Sequence, residues 1–209
     1  MYWTVAAPLD GSALAHTIPG DDPRDASDGE RLIMANGLDD VPRAVNELAA
    51  TLPHLPDGRI DYRQAPRAAV LTCFVKHGDK LLLLRRSDQV GTYRGQWNTV
   101  AGYLDELKPL VNKIREELRE ELGVTLAEDA HVTVGIPYEF RDDAINRTWI
   151  VHPVLVTVDQ PLTPRLNWEH TEYAWISPAD LVHFDTVPRL AESLRRVLPA
   201  PLERSEPGG

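Results

Sequence analysis

A single cysteine, Cys73, stands among the 209 residues, so no disulfide can close within the chain and its stability must come from a packed core. That cysteine usage fits a reducing compartment, and a cytoplasmic setting is expected. Long apolar runs are missing too: nothing approaches the ~20 residues needed to span a bilayer. The opening MYWTVAAPLDG has neither a basic n-region nor a long apolar h-region, so it does not read as a signal peptide. Positive charge is in deficit, with 22 Lys and Arg against 32 Asp and Glu and a net charge of −10. A nucleic-acid backbone would be repelled by that balance, which excludes it as the expected partner. A small phosphate compound remains compatible, because a bound metal ion reverses the local sign. No internal repeat is present. What remains, 43% hydrophobic and 26% charged residues, is the composition of an ordinary globular protein, long enough for one well-packed domain plus an extension.

The most informative stretch is Gly102 to Val124, GYLDELKPLVNKIREELREELGV. It opens on a glycine loop, continues as a helix dense in carboxylates and stops at Gly123. Within it Val111, Ile114, Leu118 and Leu122 recur at spacings of three and four. At the helical turn angle they form one stripe roughly 80° wide, the width of a core-facing side. Glu117, Glu120 and Glu121 stand at i, i+3 and i+4 and share a second face beside that stripe. Three like charges there repel one another unless a cation sits among them. Hard divalent cations such as Mg²⁺ take carboxylate oxygens and complete their shell with water and substrate phosphates. The helix therefore reads as a metal platform.

At these residues the chain resembles the Nudix hydrolases, whose box is written G-x5-E-x7-R-E-U-x-E-E-x-G-U with U a bulky aliphatic. Gly102 takes the first glycine position, Glu117-Leu118 the E-U pair, Glu120-Glu121 the E-E pair and Gly123-Val124 the close. Upstream, GQWNTVAG is similar to the family's tryptophan-containing approach strand, and WEHTEYAWISPADL to its late strand before a short helix. The match has departures. Lys108 stands where the family has Glu, Glu116 where it has Arg, and Leu107 replaces a common glycine; Ala101 and Asp105 depart more mildly. Lys108 and Glu116 invert both signs together, which preserves the attraction that this pair makes across loop and helix in resembling proteins. The resemblance implies an α/β (α+β) fold, a Nudix-type α/β/α sandwich with a mixed β-sheet.

Around the box the expected elements follow in order. Residues 1–64 are an N-terminal extension, read as a cap or homodimer-forming element, with a strand at MYWTVA, then loop, then a helix over VPRAVNELAATL. The domain itself is expected over 65–198. AAVLTCFV and KLLLLRR form two strands around a His77-Gly78-Asp79 turn, both apolar enough to be covered on two faces. HVTVGIPYEF and RTWIVHPVLVTV are two further strands joined by RDDAIN, with Pro137 and Pro153 implying a sheet edge or a bulge. HTEYAWI is a strand, Ser177-Pro178 starts a short helix, and Pro188 to Leu198 is a final amphipathic helix. The tail, 199–209, has a disordered composition.

The resemblance implies Mg²⁺ (or Mn²⁺) held by Glu117, Glu120 and Glu121, with the Gly102 loop letting the backbone approach the ion. It also implies hydrolysis of a phosphoanhydride bond in a nucleoside diphosphate derivative or nucleoside triphosphate. A general base is not fixed by the motif: a box glutamate, Glu139, Asp142 or Glu169 are the candidates. Arg85, Arg86 and Arg94 cluster between a strand end and the box as candidate phosphate contacts, and Tyr93 as a base-stacking ring. Arg85 and Arg86 point to opposite faces of their strand, so only one can serve a given site. Two other readings compete. The altered Lys108 and Glu116 positions would suit a non-catalytic nucleotide-sensing module. An isopentenyl-diphosphate isomerase shares the fold but needs a catalytic cysteine near the loop before the box, whereas Cys73 lies inside an apolar strand.

Overall fold

The alternation of side chains along extended backbone explains the two leucine-rich strands. In the computed structural model, which describes residues 37–127 and 130–198, β1 runs Arg67–His77 and β2 Lys80–Arg86. Leu71, Cys73 and Val75 of β1, with Leu82 and Leu84 of β2, enter one apolar cluster, while Phe74, Leu81 and Leu83 enter a second on the opposite face. Both faces are covered, as near-continuous apolar strands require. Gly78 turns between them in the left-handed region at φ 56°.

Eight strands form one mixed sheet. The others are β3 (Trp97–Asn98), β4 (Val100–Tyr103), β5 (His131–Val134), β6 (Tyr138–Asp142), β7 (Arg147–Thr157) and β8 (His170–Ile176). The main path is β3-β2-β1-β7-β5, with β4 on β1, β6 on β7 and β8 on β2. β1 and β7 pair in parallel from Arg67↔Thr148 to Lys76↔Thr157 and form the centre; the remaining pairings are antiparallel. Helices α1 (Arg43–Ala49) and α2 (Leu110–Leu122) supply Val45, Leu48, Leu110, Ile114, Leu118 and Leu122 to the first cluster. A 3-10 turn (Pro178–His183) and α3 (Leu190–Val197) supply Leu181, Leu190, Leu194 and Val197 to the second. The result is the expected α/β/α sandwich with a mixed sheet. Among the described residues no helix is long and apolar enough to cross a membrane.

Three expectations change in detail. HVTVGIPYEF is two strands, broken at Gly135–Pro137. β7, although it contains Pro153, is central. The proline falls where the neighbour of β7 changes from β6, which ends its pairing at Val151, to β5, which begins at Val154. A missing N–H is harmless at that seam, and the Pro153 carbonyl still accepts the Gly135 N–H at 2.9 Å. On α2, Leu110 rather than Val111 completes the buried stripe, joined by Glu117 and Glu121. The strand expected at MYWTVA, the loop after it and the tail lie outside the described residues.

The segment before the domain is built into it. The first-turn N–H groups of α2, which no helix can satisfy internally, donate to backbone carbonyls of that segment: Leu110 to Asp40 at 3.1 Å and Val111 to Leu38 at 2.9 Å. The Ile60 N–H reaches the Asp105 carbonyl at 2.7 Å, and the Tyr62 hydroxyl donates to the Leu104 carbonyl at 2.9 Å. Gly123 ends α2 at φ 68°, its N–H on Arg119 O and that of Val124 on Leu118 O.

The sign-inverted pair forms. Lys108 Nζ contacts a Glu116 carboxylate oxygen and lies 2.9 Å from Glu106 Oε1, tying the loop to the helix. We expect Lys108→Glu and Glu116→Arg each to lower the urea midpoint, with activity falling more than stability. The double variant should recover part of both losses, with a coupling of about 0.2–1 kcal/mol. Recovery is incomplete because the new Glu still faces Glu106. Additive losses across the cycle would show that the pair does not link loop to helix.

Candidate active site

The centre of the site is where α2 lies against β4. Gly102 permits this contact: a Cβ placed there would stand 1.9 Å from Glu117 Oε1, a separation no side chain tolerates. One helical turn later Glu121, 1% exposed, accepts the Ala101 N–H on Oε1 at 3.1 Å. Its Oε2 is buried without a hydrogen bond. The nearest basic group, His170 Nε2, stands 3.5 Å away. Burial, then the Arg86 charge, lowers the His170 pKa to about 4, so near neutral pH this imidazole brings no positive charge to Glu121. Burial, reinforced by Glu117, pushes the Glu121 carboxyl well above the ordinary glutamate range. Glu120 points outward from the same face.

Glu117 has the partner that Glu121 lacks. Lys113, one turn earlier, holds Nζ 2.7 Å from Glu117 Oε1, both side chains largely buried. Burial raises the Glu117 pKa even so, and Lys113 works against that rise. For Lys113 burial disfavours the charge, but Glu117 and Asp105 outweigh it and the ammonium pKa rises. The two directions agree once the causes are separated: the pair attracts and burial opposes both charges, prevailing on the carboxylate and outweighed on the ammonium. Asp105 has one buried oxygen, Oδ1, without a hydrogen bond, and its Oδ2 is 3.6 Å from an Arg59 guanidinium nitrogen.

Several of these groups line a cleft of about 480 Å³. Gly102, Lys113, Glu117, Glu120, Glu169 and Arg86 line it together with the rings of Tyr93, Tyr103, Phe140 and Trp149. Tyr93 is fixed from two sides: its hydroxyl donates to Asp142 Oδ2 at 2.6 Å and accepts from Trp149 Nε1 at 2.8 Å. Its backbone is left-handed at φ 53°, a strained conformation for a bulky residue that those contacts hold in place.

The structure sorts the clustered arginines. Arg86 lines the cleft, its Nε donating to the Thr92 carbonyl at 3.1 Å. Arg85 points to the other face of β2 and pairs with Glu172 at 2.6 Å. Arg94 donates to the Val90 carbonyl at 2.8 Å and ties its own loop. Of the three candidate carboxylates outside the box, Glu169 lines the cleft, while Glu139 and Asp142 stand on β6, where Glu139 pairs with Arg67 and Asp142 receives the Tyr93 hydroxyl. Cys73 is fully buried in β1, and burial pushes its thiol pKa up, which makes it no nucleophile or acid for an isomerase. Lys113 was legible in principle, four residues before Glu117 on the same helix face. Arg59 and Asp105 meet only through tertiary contact, and that meeting leaves no sequence signal.

The donor set suits a hard divalent cation: carboxylate oxygens on one helix face, one of them buried and unpartnered, beside a glycine with no Cβ to block approach. Among the described residues no three His, Cys, Asp or Glu side chains already converge as they would around an ion. Glu117 is instead engaged by Lys113.

The family model for the NUDIX domain matches residues 63–199, which includes β1 through α3 and the whole cleft apart from Arg59. Nucleoside triphosphatase NudI of Escherichia coli and of Shigella flexneri is 27% identical over 139 residues, 62% of this chain and 96% of the relative. Among solved structures, the MutT protein from Methanosarcina mazei Go1 superposes with a TM-score of 0.53 at 21% identity, over 64% of this chain and 94% of that one. The MutT NUDIX hydrolase from Burkholderia pseudomallei gives 0.52 at 20% identity, over 63% and 98%. With the family matched over most of the chain and its box on the cleft, the protein belongs to the Nudix family and is one of its hydrolases.

Proposed function

We propose that the protein hydrolyses a phosphoanhydride bond of a nucleotide, a nucleoside triphosphate or a nucleoside diphosphate derivative, with Mg²⁺ or Mn²⁺ as cofactor. The observation that carries this reading is the Glu117–Glu120–Glu121 helix face: Glu117 and Glu120 line a cleft shared with aromatic rings, and Glu121 beside them keeps a buried oxygen without a hydrogen bond. The likeness to a relative named nucleoside triphosphatase supports a triphosphate. Glu117, Glu120 and Glu121 would hold the ion, with the Gly102 backbone beside them. When bound, such an ion acidifies a water and offsets phosphate charge. Arg86 binds a phosphate oxygen. Glu169, half-buried in the cleft with its pKa raised by burial, takes the proton from the attacking water. Attack at phosphorus breaks the bond to the bridging oxygen and leaves two phosphorylated products. Tyr93, Tyr103 and Trp149 cover the base. Residues 38–62 serve as a buttress that fixes α2 and adds Arg59 to the rim. The lone buried Cys73 supports a cytoplasmic setting.

A panel of nucleotides with Mg²⁺ or Mn²⁺, read by mass spectrometry, tests the reading. Turnover of at least one is expected, falling about 10²–10³-fold in at least one of Glu117→Gln, Glu120→Gln and Glu121→Gln. Binding without product would assign the chain to nucleotide sensing, and full activity in all three variants would remove the glutamates from the chemistry.

Stability without metal separates the same glutamates. A carboxyl whose folded pKa lies above its unfolded value takes up a proton on folding, so its contribution is best at low pH. That contribution declines as pH rises above the ordinary value of 4.5. In EDTA near neutral pH, Glu121→Gln should therefore melt above wild type and flatten the pH dependence. Glu117→Gln leaves the Lys113 ammonium without its ion pair and should give no such gain. A lower melting temperature for Glu121→Gln would mean that its charge is stabilising as it stands.

Kinetics of the arginine variants form the third test. Arg86→Ala should lower kcat/KM by about tenfold or more with little change in melting temperature, while Arg85→Ala and Arg94→Ala stay near wild type. Equal effects in all three would contradict the assignment of Arg86 to phosphate.

A further inference from the structure

Lys113 has a largely buried side chain beside the residues proposed to hold metal, and it already sits on one of the oxygens that an ion needs. Its Nζ is 2.7 Å from Glu117 Oε1, the oxygen that Gly102 admits against β4. A hard divalent cation coordinates at about 2.0–2.1 Å and would meet the ammonium across that same oxygen. Two cations in such proximity repel, so occupancy by one weakens occupancy by the other. Asp105 offers the ammonium a second carboxylate: it lines the same cleft as Lys113 and carries a buried oxygen with no hydrogen bond.

We infer that Lys113 is a built-in counter-cation of the metal platform: it neutralises Glu117 when no ion is bound and must be displaced toward Asp105 before a divalent ion can take that carboxylate. This rests on the metal-platform reading above and adds a positioning residue to it. The ammonium keeps a buried carboxylate from standing uncompensated in the empty site. It also lowers affinity for the free ion, so that productive occupancy comes with the added negative charge of substrate phosphates.

Mn²⁺ binding to the full-length protein, followed by calorimetry and by the electron paramagnetic resonance of free Mn²⁺, tests this without turnover. Lys113→Met should bind Mn²⁺ at least tenfold more tightly than wild type, whereas Lys113→Arg should not. Without metal, Lys113→Met should melt below wild type, and saturating Mn²⁺ should close that gap; a purely structural lysine would leave it open. In wild type, the ¹⁵Nζ resonance of Lys113 should shift in step with Mg²⁺ occupancy, a readout that does not depend on any variant folding. Unchanged Mn²⁺ affinity in Lys113→Met, with binding abolished in Glu121→Gln, overturns the inference and leaves the platform intact. An Nζ resonance unmoved through a saturating Mg²⁺ titration also overturns it. No Mn²⁺ binding to either wild type or Lys113→Met overturns both.

Discussion

Everything distinctive in this molecule follows from how closely α2 approaches β4. An ordinary helix on a sheet keeps a layer of side chains between the two backbones. Here one residue of the strand, Gly102, has no side chain, and a Cβ would overlap Glu117. A carboxylate thus lies flat on the strand, and the next turn brings Glu121 onto the Ala101 N–H. Neither acid is in a place that hydration favours. Both have raised pKa values, and Glu121 has an oxygen with no hydrogen bond. Such an arrangement costs stability, and something else must hold the helix down.

That hold comes from three sources. Leu110, Ile114, Leu118 and Leu122 are essentially fully buried, each contributing about 1.5–3 kcal/mol. Both ends of α2 are closed by backbone, Leu38 and Asp40 at the start and the left-handed Gly123 at the finish. Lys108 and Lys113 neutralise the acids that face the loop. The apolar stripe and the main-chain closures form the frame of the platform, and the ion pairs on its acids add to that frame. A site that must gain and lose a charged ligand benefits from the apolar and main-chain part of the frame, which the ligand's charge does not loosen.

The same division explains what could be read in the sequence. The helix, its stop and its acid face were legible because they depend on spacings of three and four within one element. β1 and β2 were legible because strands covered on both faces carry apolar residues at every position. Arg86 and Arg85 were legible as a pair of which one faces any given site, but which one was settled only by the sheet, where β8 takes Arg85 to Glu172. Pro153 misled because a proline in a strand ordinarily means an edge; here two short strands divide one side of β7 and the proline falls between them. Asp105 was visible only as a mild departure from the box, and its meeting with Arg59 was not legible, since it depends on how the chain before the domain folds back over the Leu104–Asp105 loop. Burial of Glu121 was invisible for a different reason: the pattern shows where a glutamate points and says nothing of how near a backbone will come.

The segment before the domain is where this protein has room to differ from its relatives. The family match begins at residue 63, yet Val45, Leu48, Ile60 and Tyr62 are core residues, and the carbonyls that start α2 belong to residues 38 and 40. Arg147, at the start of β7, donates to the Tyr62 carbonyl at 2.8 Å and to the Tyr103 hydroxyl at 3.0 Å, so the segment also bears on a ring that lines the cleft. Tyr103 in turn lies between Tyr62 and Trp149, with ring centroids at 5.5 and 6.0 Å. A change in the segment would therefore move a ring and, through Arg59 and Asp105, a charge, both of which line the cleft. The buried stripe of α2 lies within the family match, and only the first turn of that helix rests on the segment, through Leu38 and Asp40. The rim takes Arg59 from the segment itself, and in a chain with a net charge of −10 each rim guanidinium weighs heavily on which anion can enter.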